Sequence, residues 1–100
     1  MEYREAAKKL RVMLPLVWPV SIRRVKTEDW GDCTFIMESK QGPHFIIRIS
    51  NELTDSAQVM VLLHEWAHAL SWGSDTHHIR NHGPEWGISM SRVWQTLMED

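Results

Sequence analysis

Thr54–Trp72 reads TDSAQVMVLLHEWAHALSW, and the architecture of the chain turns on what this stretch forms. Thr54, Asp55 or Ser56 offers a side-chain oxygen to cap a helix start, and the residues after them predict a helix from about 55 to 72. Ala57, Val59, Met60, Val61, Leu62, Leu63, Trp66, Ala67 and Leu70 leave that helix almost no polar face. A helix apolar nearly all round belongs inside a protein, so its two histidines are expected in the interior. Gly73 is the expected stop.

Working outward, Gly83–Pro84 opens a last helix, with proline at its first position and Glu85 in its first turn. Trp86, Met90, Val93 and Leu97 give it one apolar face. Residues 73–83 are polar and loop-like. Upstream, residues 2–14 are good helix formers with Tyr3, Ala6/Ala7, Leu10 and Met13/Leu14 at helical spacing, and Pro15 ends that helix. Between these helices, Val20–Lys26, residues 33–39 and residues 44–50 read as strands separated by TEDWGD and KQGP turns. The order is α-β-β-β-α-α, an α+β single domain over residues 1–100. Three strands so close in sequence predict a three-stranded antiparallel sheet, because a meander is the shortest connection.

Composition narrows the partners. The net charge of −2 argues against a protein held mainly by nucleic-acid phosphates, so DNA association is a weaker third reading. Arg23, Arg24 and Lys26, with Arg48 across a sheet, read as a solvated strand face. Cys33 is the only cysteine; no internal disulfide is possible, which suits a reducing compartment, and a small buried apolar role is expected of it. VMLPLVWPV (residues 12–20) follows basic residues, but two prolines interrupt it and no small-x-small cleavage pattern appears. It reads as a helix end and connector. No membrane span and a cytoplasmic location are expected.

The chemistry lies in His64-Glu65-Trp66-Ala67-His68, an HExxH pattern inside the expected helix. Residues four apart differ by about 40° around a helix axis and about 6 Å along it, so both imidazoles point the same way. They can share one tetrahedral zinc at about 2.0–2.1 Å. Glu65, rotated about 100° from His64, misses the ligand shell but reaches a water on the metal, where a carboxylate can act as general base.

A catalytic zinc takes a third protein ligand and keeps one position open. Asp75, His77, His78, His82 and Glu85 are the candidates. His82 is favoured: it precedes a helix start, whose dipole disfavours imidazolium and keeps the ring neutral. Glu85 is the competitor, although a first-turn dipole partner is its simpler role. His77 and His78 read as loop residues, one of which could meet substrate; Asp75 reads as a turn residue.

HEWAHAL and then HGPEWG, with thirteen residues between His68 and His82, together resemble the SprT-like (Spartan-type) zinc metallopeptidase domain, including its small phage- and prophage-encoded relatives. The shared features cover about residues 54–94, and the α-β-β-β order upstream suits the compact gluzincin-like scaffold. The resemblance implies that His64, His68 and His82 are zinc ligands and Glu65 the catalytic base, with Trp86 where the family carries an aromatic, usually phenylalanine. Larger relatives have a cysteine zinc ribbon or DNA-binding extensions. Neither occurs within residues 1–100, so the family's link to DNA–protein crosslink repair transfers only weakly.

The leading expectation is therefore a zinc-dependent metalloendopeptidase acting on a protein or peptide substrate. The alternative is a non-catalytic zinc-binding protein-interaction domain, which four protein ligands in place of three and a water would favour. Zincin substrates pair with an edge strand beside the active helix. Residues 44–50 directly precede that helix, so they are the first candidate edge. His44 is then a solvent-facing strand residue.

Overall fold

Residues 44–50, HFIIRIS, are the most apolar of the three strand segments, and burial follows from that. In the computed structural model, which describes residues 2–72 and 84–98, they form the central strand of a three-stranded sheet. The elements are α1 (Tyr3–Met13), β1 (Val20–Val25), β2 (Gly31–Ile36), β3 (His44–Ser50), α2 (Asp55–Ser71) and α3 (Pro84–Met98). The sheet order is β1-β3-β2. Phe45, Ile47 and Ile49 of β3 are buried against the helices, as period-two alternation requires.

The expected antiparallel meander is not what forms. β2 pairs antiparallel with β3, but β1 pairs with β3 in parallel, Val25 lying opposite Ser50 and Gly31 opposite Ile49. Residues 26–30 therefore cross the end of β3 rather than close a hairpin. Main-chain hydrogen bonds from Ser50 to Trp30 (2.8 Å) and from Asn51 to Val25 (3.0 Å) fix that crossing. The span is short enough: next-but-one strands stand about 10 Å apart, while five extended residues reach about 17 Å. Proximity in sequence allowed either path, and burial of the apolar β3 between two partners selected this one.

Two strand assignments shift accordingly. β2 begins at Gly31 and ends at Ile36, instead of running over 33–39. Gly31 belongs to the strand because the chain there presses on α2: a Cβ would lie 2.6 Å from the Arg48 carbonyl oxygen and 2.6 Å from Val61 Cγ1. β3, the first candidate edge for a substrate, is instead internal, and the edges are β1 and β2.

The helices form as expected from their local signals. Thr54 caps α2 by accepting a hydrogen bond from the Ala57 N–H at 3.2 Å. Helix α2 packs on β2, β3, α1 and α3. Leu62, Leu63, Trp66 and Ala67 are fully buried with Leu10, Ile47, Ile49 and Val93, each large aliphatic contributing roughly 1.5–3 kcal/mol. The Trp66 indole donates to the Leu14 carbonyl at 3.0 Å, tying the end of α1 to the middle of α2. The helix is not buried all round: Met60 is 44% exposed, and His64 and His68 are half-buried on the same open side.

The basic residues divide between the two sheet faces. Arg23 and Arg48 are register neighbours, and Arg48 pairs with Asp32. Arg24 lies on the helix side, its guanidinium 4.4 Å from the centre of the Tyr3 ring and 3.4 Å from Gln58 Oε1. Among the described residues, no helix is long and apolar enough to cross a membrane. The expected helix signals at Gly73 and Gly83 lie outside the described residues.

Candidate metal centre

Helix α2 carries His64 and His68 one turn apart, and their Nε2 atoms stand 3.2 Å from each other. Two nitrogens bound to one tetrahedral ion at about 2.0–2.1 Å are separated by about 3.3 Å. The separation of the pair thus matches the distance that a shared zinc requires. The rings are inclined at 67° with centroids 4.8 Å apart, an edge-on arrangement rather than a stack.

Helix α3 supports the pair through Trp86. Its ring lies 5.1 Å from that of His64 and 5.7 Å from that of His68. Its indole N–H donates to the His64 main-chain carbonyl over 3.4 Å. The residue at the family's aromatic position therefore abuts both imidazoles, a contact that the motif does not disclose.

Glu65, rotated about 100° around the helix from His64, lines the same cleft as that ring. It is only 8% exposed. Burial, followed by the negative charge of Asp32, pushes its carboxyl up to about 7. A carboxyl balanced near neutrality is suited to taking and returning a proton. Cys33, half-buried on β2, has its thiol pushed up to about 12 by burial and then by Glu65 and Asp32, so it remains a neutral thiol, close to the apolar role expected of it.

His82, the favoured third ligand, lies outside the described residues, as do Asp75, His77 and His78. Glu85 is exposed in the first turn of α3. Among the described residues, no three His, Cys, Asp or Glu side chains converge as a metal site, so Glu85 does not complete one with His64 and His68. His44 begins β3 at the β2–β3 hairpin as a strand residue, but it is half-buried rather than solvent-facing, its Nδ1 2.9 Å from the Gly42 carbonyl oxygen.

A cleft of about 560 Å³ opens beside His64 and Glu65, with Trp30, Gly31, Val61 and Met90 among its lining residues. Sequence reasoning missed it. TEDWGD carried only a turn signal, and nothing local indicated that the crossing over β3 would deliver Trp30 and Gly31 to the side of α2.

The sequence model of the SprT-like family matches residues 18–99, which adds the whole sheet to the segment that carries the motif. Comparison with curated proteins and with solved structures yields no match. With an HExxH helix whose imidazoles converge, an aromatic from the next helix packed on them and a family match over most of its length, the chain belongs to the SprT-like family.

Proposed function

We propose that the protein is a zinc-dependent metalloendopeptidase. The observation that carries this reading is the 3.2 Å approach of the His64 and His68 Nε2 atoms beside a buried Glu65 at the head of an open cleft. His64 and His68 would hold the ion, with His82 as the third ligand. When bound, zinc supplies Lewis acidity, polarising a carbonyl and acidifying water.

The rest falls to the chain. Glu65 takes the proton of the attacking water and returns it to the leaving amine. Trp86 holds the two imidazoles in their converging orientation. The β2 strand is the edge that lies against α2, so it replaces β3 as the strand on which an extended peptide adds by main-chain hydrogen bonds.

Replacing Glu65 by Gln tests the mechanism. Peptide cleavage should fall by at least about a hundredfold while zinc content is retained. Cleavage at the parental rate by the Glu65→Gln protein refutes it. Zinc analysis of the His82→Ala protein identifies the third ligand: loss of affinity supports His82, and unchanged affinity rules it out.

A further inference from the structure

The cleft beside His64 and Glu65 has a composition of its own. Its walls are mostly apolar: Met60 and Val61 come from α2, Met90 from α3 and Trp30 from the 26–30 crossing. Trp30 is 74% exposed and lines the cleft with Met60, which is 44% exposed, so the two present apolar surface to solvent on one cleft. The position of Trp30 is nonetheless defined, since the Ser50 N–H donates to its carbonyl at 2.8 Å and the neighbouring Asp29 carbonyl accepts from the Thr27 hydroxyl. Glu28 and Asp29 flank it on the same lip. Among the described lining residues there is no lysine or arginine, whereas Glu28, Asp29 and Glu65 are all acidic.

We propose that this cleft is a specificity pocket that takes a large apolar side chain of the substrate, with a basic residue beside it held at the Glu28–Asp29 lip. The proposal deepens the peptidase reading and rests on it for the word substrate, but the pocket binds whether or not a bond is cut. An apolar chamber of this size accepts a phenylalanine or leucine side chain and gains little from alanine. The lip carries two exposed carboxylates and no lysine or arginine is among the described lining residues, so it attracts cations and repels acidic flanks. Gly31 lets strand and helix close against each other beside the pocket, since a Cβ there would meet the Arg48 carbonyl oxygen and Val61 Cγ1 at 2.6 Å.

The test is fluorescence polarisation on the full-length Glu65→Gln protein with zinc present, using labelled Ala-Arg-Phe-Arg-Ala, Ala-Arg-Ala-Arg-Ala and Ala-Glu-Phe-Glu-Ala. Basic residues on both sides of phenylalanine make the result independent of chain direction. The first peptide should bind about tenfold or more tightly than the second. It should exceed the third by about threefold to tenfold, a margin that shrinks in 0.5 M salt.

Adding Trp30→Ala should remove the preference for phenylalanine. Trp30 is exposed, so the variant keeps its fold, which its circular dichroism checks. Adding Glu28→Gln and Asp29→Asn together should remove the preference for arginine and leave that for phenylalanine. Equal binding of the three peptides, binding of none of them, or preferences that persist in these variants overturns the pocket. Cleavage by the parent protein is scored separately: selective binding without cleavage leaves the pocket standing and removes the peptidase.

Discussion

The indole N–H of Trp86 in α3 donates to the main-chain carbonyl of His64 in α2 over 3.4 Å, while the indole ring lies tilted against the rings of both His64 and His68. One residue thus couples the last helix to the candidate metal pair. Partners that orient ligand imidazoles commonly alter metal affinity by about 10–100-fold when removed. Trp86→Ala should weaken zinc binding by about tenfold in a chelator competition. Trp86→Phe keeps an aromatic face and should stay within about threefold of the parent. Equal affinities in all three proteins would show that the ring does not position the pair.

Glu65 makes the metal-free protein sensitive to pH. Its carboxyl is raised from the ordinary value of 4.5 to about 7, so the folded state holds its proton more tightly than the unfolded chain. The stability this provides is full below about 4.5 and is lost as pH rises through about 7. Glu65→Gln stays neutral throughout. At pH 8 without metal it should be the more stable protein by about 1 kcal/mol or more, equivalent to about 4–8 °C in Tm, with the gap closing below pH 4.5. Thermal melts across that range in chelator measure it; a constant gap would refute the burial effect.

Gly31 is a contact before it is a turn residue. A methyl group there meets the Arg48 carbonyl oxygen and Val61 Cγ1, each at 2.6 Å. Gly31→Ala should cost roughly 1–3 kcal/mol in urea unfolding. Adding Val61→Ala removes only the side-chain clash, because the carbonyl belongs to the sheet backbone, so it should recover part of the loss. Full recovery would show that β2 can move away from β3.

Trp66 anchors α1. It is fully buried and donates to the Leu14 carbonyl at 3.0 Å. Trp66→Phe leaves that carbonyl without its indole donor and opens a void where the larger ring stood. A loss of about 2–4 kcal/mol is expected, a large share of a small domain's stability. Chemical unfolding checks it, and a change below about 1 kcal/mol would mean that water or repacking replaces the bond.

The three helices were legible because their signals are local. The expected helix over 55–72 is observed as Asp55–Ser71 and that over 2–14 as Tyr3–Met13, while the last is observed over Pro84–Met98. The same locality made the His64–His68 convergence readable, since residues four apart share a helix face whatever surrounds them. The sheet was different. Val20–Val25 and His44–Ser50 were recognisable as strands, but their parallel pairing and the central place of β3 were not. Alternation records which face of a strand is buried and says nothing about which neighbour it bonds.

By itself, then, the order of residues determined the helices, the presence of three strands and the facing imidazoles on α2, because each follows from hydrogen bonds and side-chain periodicity within a few residues. Only the tertiary structure decided that residues 26–30 pass over β3, that β2 is the edge beside α2, that Trp30 and Gly31 border the cleft and that Glu65 is buried enough to hold its proton near neutrality. Those features depend on which distant segments come together. That choice is made by burying the most apolar strand between two others, a global free-energy balance that no short window of sequence contains.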